Sequence, residues 1–192
     1  MSLFTPSSIQ ICPCQINPLA DKVGSPLAYQ DCCQPYHDAL SNENIDELGV
    51  AKAETAERLM RTRYSAFVLV KSDYIVKTTL PAQQALLDKK AVETWAKETD
   101  WAGLEIVQHT PNLGKRHAQV EFKAYFNTSG DTSSQLQMHH ELSAFVKVKD
   151  KSSKNARWCF LDPTVAMTVT QKQPCICGSG EKFKQCCGVY LD

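Results

Sequence analysis

The chain has 192 residues, with 21 basic and 21 acidic side chains and a hydrophobic content of 43%. That length suits one ordinary domain with small appendages, and the apolar fraction is enough to build a core. A formal net charge of zero argues against a dominant polyanion-binding surface, and no run of about 18 apolar residues signals a transmembrane helix.

The first ten residues, Met1 to Gln10, lack a basic stretch followed by an apolar one, so no secretion signal is expected and a cytoplasmic location is. Nine cysteines need an explanation in a reducing compartment. Cys12, Cys14, Cys32 and Cys33 lie near the start, Cys175, Cys177, Cys186 and Cys187 near the end, and Cys159 stands apart. In that compartment paired cysteines read as metal ligands rather than disulfides. Residues 1–40 are therefore expected to form a first zinc module. His37, a few residues past the adjacent pair, is an alternative ligand to one of them.

Residues 41–170 read as one central α+β domain. Asp46 to Leu48 suggests a single helical turn. From about Glu54 to Val70, Ala56, Leu59, Met60, Tyr64, Phe67 and Val68 recur at helical spacing. Tyr74 to Leu80 is a second short helix stopped by Pro81. Gln83 to Glu98 reads as a third, with Leu86, Leu87, Ala91 and Trp95 facing inward. The period then changes to two. Leu104 to His109 is a strand ended by the turn signal from Thr110 to Gly114. Ala118, Val120, Phe122, Ala124 and Phe126 alternate with polar residues in the next strand. After a loop from Asn127 to Ser134, Leu136, Met138, His140, Leu142, Ala144, Val146 and Val148 share one face. Trp158 to Leu161 closes the series. Helices followed by an antiparallel meander predict helices packed on one sheet face.

Residues 171–192 form the second cysteine module. One residue separates Cys175 from Cys177, and eight separate Cys177 from the adjacent pair Cys186 and Cys187. Four thiolates suit tetrahedral zinc and leave no vacancy for a water or substrate, so such a site is structural. Gly178 and Gly180 permit a turn with positive φ, so that backbone amides point at sulfur, and residues 181 to 187 suggest a short helix. The N-terminal cluster has 17 residues between Cys14 and Cys32. Aligned backwards from the double cysteines, Tyr29 falls on Phe183, Gly24 on Gly178 and Ser25 on Ser179. The difference is then one nine-residue insertion, Gln15 to Val23. Doubling a loop adds only about 0.6 kcal/mol of closure entropy, against roughly 10–16 kcal/mol for structural zinc in a finger peptide. The chain thus contains an internal repeat, with two structural zinc ions expected. Loading both would move the formal charge to about −4, which Lys172, Lys182 and Lys184 offset at the C-terminal site. At the N-terminal site Lys22 stands among Asp21, Asp31 and Asp38.

The stretch Cys175 to Gly188 resembles a SEC-C motif, the zinc element at the C-terminus of the SecA translocase ATPase. Cys32-Cys33-Gln34-Pro35-Tyr36-His37, followed by Ala56 to Phe67, resembles the YchJ family. The resemblance implies SEC-C-like modules flanking a nuclear-transport-factor-2-like domain, a cone of helices against a curved antiparallel sheet. SEC-C tails of the translocase contact partners, which implies a protein partner here.

Several side chains invite a catalytic reading. His140 lies on the apolar parity of its strand, and in a cone it would face inward with Trp158, Trp95 and Tyr64 as pocket neighbours. A core histidine satisfied by one hydrogen bond is the heavier reading, since one histidine is not a constellation. His139 and Glu141 share the opposite side, so His139-His140-Glu141 is not a metal triad. Cys159, with no base beside it in sequence, reads as a buried thiol. Residues 178 to 182 lack the spacing of a phosphate loop. Arg61 and Arg63 fall on different helical faces and read as solvated or ion-paired.

The function expected from sequence is a non-enzymatic adaptor docking a protein through its zinc modules. The alternative is an enzyme or small-ligand binder using the cone. Nucleic-acid binding through the zinc modules is the least favoured, given the neutral composition.

Overall fold

The computed structural model describes residues 10–20, 25–41, 52–129, 134–149 and 156–191. Gly24, Lys22, Asp21 and the turn expected at Asp46 to Leu48 lie outside them. The described helices are α1 (Tyr29–Cys32), α2 (Gln34–Ser41), α3 (Ala56–Val68), α4 (Ser72–Thr78), α5 (Pro81–Gln84) and α6 (Lys89–Glu98). The strands are β1 (Asp100–Leu113), β2 (His117–Ser129), β3 (Ser134–Lys149) and β4 (Ala156–Leu161). They form one antiparallel sheet in the order β1-β2-β3-β4, the expected meander.

Thr55 caps α3, its side chain accepting from Arg58 N at 3.0 Å. The helix then lays Ala56, Leu59, Met60 and Tyr64 on the sheet. The single helix expected over Gln83 to Glu98 is two. Asp88 is the reason: its carboxylate caps Ala91 N at 3.0 Å and starts α6 afresh. The restart rotates the inward face, so Ala96 is buried and Leu86 is 56% exposed. β1 runs through the supposed turn at Thr110 to Leu113. Pro111 is tolerated because β1 is an edge strand and the ladder slips between Thr110 and Leu113. The chain turns at Gly114, whose φ is +61°.

Both faces of the sheet are used. Ala118, Val120, Phe122 and Ala124 of β2 face α3 in the main core. Their partners across the ladder are Phe145, Ser143, Glu141 and His139 of β3, so the odd residues of β3 share this concave face. The even residues point outward. Ala144 and Val146 are nevertheless buried, because with Leu80, Cys159 and Leu161 they carry the C-terminal module. Leu136, Met138 and Leu142 lie beyond that module and are 42%, 53% and 58% exposed. The apolar alternation of β3 was thus a correct period on the outer face. His140 goes with it: it is exposed, on the convex side, and donates from Nε2 to Glu121 Oε1 at 2.7 Å. Neither the cone histidine nor the buried core histidine expected at this position is found.

Candidate functional site

Each cysteine cluster is closed by the same backbone frame. In the first, Cys12 N donates to Leu27 O and Tyr29 N to Gln10 O, both at 2.9 Å. In the second, Cys175 N donates to Glu181 O at 2.7 Å and Phe183 N to Gln173 O at 2.9 Å. These are equivalent positions under the alignment that places Tyr29 on Phe183. The bridges Ile11–Ala28 and Pro174–Lys182 match as well. The copies differ after this frame. Tyr29–Cys32 is α-helical, whereas Phe183–Gln185 and Cys187–Tyr190 are 3₁₀ turns in place of the expected helix. Gly178 and Gly180 have φ of +74° and +80°, the positive values the turn needs.

Within each set the four sulfurs lie within 4.8 Å of one another. Cys14 Sγ is 3.6 Å from the sulfurs of Cys12, Cys32 and Cys33, and Cys32 is 3.9 Å from Cys33. Cys177 Sγ is 3.6 Å from both Cys175 and Cys186. A tetrahedron with zinc–sulfur bonds of about 2.3 Å has edges of about 3.8 Å, whereas disulfide sulfurs sit about 2.05 Å apart. The donors and spacing fit one tetrahedral thiophilic ion per cluster. Crowding makes these thiols unwilling to ionise together. Hydrogen bonds from Cys12, Cys14 and Cys33, with Arg58 adding, hold Cys32 far below the ordinary thiol range, while Cys12, Cys14 and Cys32 push Cys33 far above it. At the other end the bond with Cys187 leads in lowering Cys177 to about 4. A dication relieves that repulsion.

The surroundings differ more than the cages. Arg58, Arg61 and Ser65 lie at i, i+3 and i+7 on one face of α3. Arg58 Nη1 reaches Cys32 Sγ at 3.7 Å, Ser65 Oγ lies 3.5 Å from Cys12 Sγ, and Arg61 Nη1 donates to Cys14 O at 3.0 Å. Arg61 also pairs with Glu57. The insertion is put to use: Ile16 O accepts from Leu104 N at 2.7 Å. A Cβ on Gly103 would sit 2.7 Å from that oxygen and 2.6 Å from Pro18 Cδ, so β1 must carry glycine there. His37 is not a ligand. Its Nε2–H donates to Thr62 O at 2.9 Å and its Nδ1 accepts from Tyr29 O–H at 2.7 Å. Burial lowers its pKa to about 4 and keeps it neutral. The C-terminal cage instead rests on β2 and β3. His117 Nε2 lies 3.5 Å from Cys187 Sγ and 3.9 Å from Cys186 Sγ, with its ring against Tyr190.

Between α3, α6 and the concave sheet face lies a cavity of about 560 Å³. Tyr64 and Trp95 line it as expected, joined by Phe67, Trp101, Phe122 and Phe126. Trp158 does not: it stands two residues from Phe160 in the main core, donating from Nε1 to Glu54 O at 3.2 Å. The polar lining was misjudged from sequence. His139, Glu141 and Ser143 form a row at i, i+2 and i+4 of β3. His139 Nε2–H donates to Glu141 Oε2 at 2.8 Å, and Ser143 Oγ–H donates to Glu141 Oε1. Arg63, expected to be solvated or ion-paired, is 4% exposed and lines the cavity. Its Nη1 donates to Ile75 O at 2.8 Å and Thr78 Oγ1 at 2.7 Å, and its guanidinium stacks 4.4 Å from the centre of the Phe160 ring. Burial lowers its pKa to about 10 while Asp162 opposes the shift, so it remains a cation at neutral pH. The spacing of 56, 60, 63 and 67 already put Arg63 on the apolar face of its helix.

The fold and its two thiol cages define a metal-binding protein with SEC-C-type modules on a nuclear-transport-factor-2-like centre. Comparisons agree. Residues 55–163 match the family model for the YchJ middle NTF2-like domain, 4–41 that for the YchJ N-terminal zinc binding domain, and 172–188 the SEC-C motif. UPF0225 proteins of Haemophilus influenzae and Actinobacillus succinogenes are 46% and 44% identical, the alignments covering 98% and 94% of this chain and 98% of each relative. A crystal structure of a SEC-C motif containing protein from Psychrobacter arcticus is 70% identical with a TM-score of 0.88, over 95% of this chain and 98% of that one. A solution structure of a SEC-C motif containing protein from Rhodopseudomonas palustris is 33% identical with a TM-score of 0.54, over 72% and 92%. The chain belongs to the YchJ (UPF0225) family.

Proposed function

We propose that Cys12, Cys14, Cys32 and Cys33 hold one structural zinc ion, that Cys175, Cys177, Cys186 and Cys187 hold a second, and that the working site of this metal-binding protein is the central cavity, which takes a small ligand. The buried Arg63 carries that reading. A cation 4% exposed in an aromatic cavity, answered by Asp162 and Glu141 only through space and ion-paired to no carboxylate among the described residues, is a recognition group for an incoming acceptor. The row His139–Glu141–Ser143 adds convergent polar groups opposite apolar walls, the usual composition of a ligand site. The cages supply no chemistry, because four thiolates leave zinc no open position. They brace the chain's two ends. Elemental analysis of gently purified protein should find about two zinc ions per chain. Trp95 and Trp101, both lining the cavity, should report small-molecule binding through their fluorescence. A protein with no zinc, or with tryptophan emission indifferent to every small apolar solute, would count against the respective half.

Protein docking remains a second reading, favoured by the outer side of the C-terminal module, where Val189 is 61% exposed. Val189→Glu should then abolish retention of a copurifying protein while zinc content stays unchanged. Retention by the variant would remove this role.

A further inference from the structure

Among the described residues, Arg63 has no carboxylate within ion-pairing distance. Its Nη1 is spent on Ile75 O, Thr78 Oγ1 and Thr79 Oγ1. That arrangement fixes the plane of the guanidinium and, among the described residues, leaves the Nε–H and Nη2–H edge without an acceptor. Arg63 itself lines the cavity. A fork of two parallel N–H groups held in one plane is the complement of a carboxylate.

The rest of the lining narrows the class. Trp95 meets Trp101 edge-on at 5.1 Å and Phe67 at 5.0 Å, and Tyr64 meets Trp101 at 5.8 Å. With Phe122 and Phe126 on the sheet side, this makes a wall for a flat apolar body. Two carboxylates, Glu141 and Asp162, also line the cavity. Both act on Arg63 through space, so a dianion would meet more repulsion there than a monoanion. Glu141 is held by Ser143 and His139 as an acceptor, which suits a hydroxyl or amine hydrogen on the ligand.

We propose that the cavity binds an aromatic monocarboxylic acid, its carboxylate bidentate on the Nε/Nη2 edge of Arg63 and its ring against Trp95, Trp101 and Phe122. This rests on the cavity being the ligand site. It names what enters.

The test is a fluorescence and calorimetric titration of the zinc-loaded full chain with three probes of one shape: 2-naphthoate, 2-naphthamide and 2-naphthyl phosphate. The acid should bind at least about tenfold more tightly than the amide, since a hydrogen bond to a charged group contributes about that much, and more tightly than the phosphate. Equal affinity for acid and amide would overturn the carboxylate assignment while leaving the cavity as a ligand site. Tighter binding of the phosphate would overturn the monoanion selection. If none of the three binds up to its solubility limit, both this assignment and the cavity reading fall. Arg63→Met removes the fork but also the ties to α4, and it can fail to fold. Ala124→Phe serves as the second variant, because Ala124 lines the cavity and a phenyl group there fills it. It should abolish naphthoate binding in protein that still unfolds cooperatively and keeps its zinc. Unchanged binding by a folded Ala124→Phe protein would place the probe elsewhere and overturn the proposal.

Discussion

The two thiol cages share a backbone frame and differ in what they are fastened to. The N-terminal cage lies inside the main core, with its sulfurs among Leu59, Met60, Tyr64 and Phe145 and under the Arg58–Arg61–Ser65 face of α3. The C-terminal cage is clamped to the outside of the sheet through Val146, Cys159, Leu161 and Leu80. One motif therefore plays two mechanical parts. Copied sequence dictates the cage, and the residues around it dictate how far the loss of metal spreads.

Breaking a ligand in each copy gives the sharpest contrast. Cys33→Ser should reduce zinc from about two ions per chain to about one and abolish cooperative thermal unfolding, because a structural zinc site is worth about 10–16 kcal/mol and whole domains only about 5–15 kcal/mol. Cys187→Ser should lose the same amount of zinc yet leave a cooperative transition at lower temperature, since what is uncovered is one face of β3 and β4, at about 1.5–3 kcal/mol per Val or Leu exposed. Equal damage from both would erase the distinction.

Glycine substitutions probe the fastening without touching a ligand. Gly103→Ala drives a methyl into Ile16 O and Pro18 and should lower stability by about 1–3 kcal/mol, a fall in melting temperature of roughly 2–10 °C. Gly188→Ala meets the Phe183 ring and carbonyl at 2.9 Å. It should loosen only the C-terminal cage, seen as faster zinc loss to a chelator from one site of two.

The smallest effect concerns pH. His37 is buried and its pKa lies near 4, below the ordinary value of 6.5, chiefly through burial. As pH falls from about 6.5, the unfolded chain takes up the proton first. The stability this histidine confers is therefore complete above pH 6.5 and lost by about pH 4, up to about 3 kcal/mol. Comparing His37→Gln with the parent cancels the acid sensitivity that both share through their thiolates. The gap between their denaturation midpoints should close over that range, and zinc content should be equal at neutral pH. Lower zinc in the variant would make His37 a ligand after all.

Much of this was readable beforehand, and the gaps have physical causes. Cysteine spacing and the offset between Tyr29 and Phe183 carried the cages and their shared frame, because ligand geometry tolerates few alternatives. Period-two alternation carried the strands. It failed on the facing of β3, where Ser143, Ala144, Phe145 and Val146 are all buried because two different bodies cover the two sides. Where a strand is covered on both sides, as β3 is from Ser143 to Val146, it offers no parity to read. The error moved His140 inward and hid the polar row of His139, Glu141 and Ser143. The break before α6 was missed for a simpler reason, an aspartate cap whose partner lies three residues on.

The anchoring of the C-terminal cage has a bearing on biosynthesis. A ribosome delivers Cys12 to Cys33 early, so the first cage can load before β1 exists. The seat of the second, His117 with Val146 and Cys159, is complete before Cys175 emerges. Cys175 to Cys187 thus arrive at a finished surface. A chain cut before Cys175 should therefore keep its sheet but leave the face formed by Val146, Cys159 and Leu161 bare.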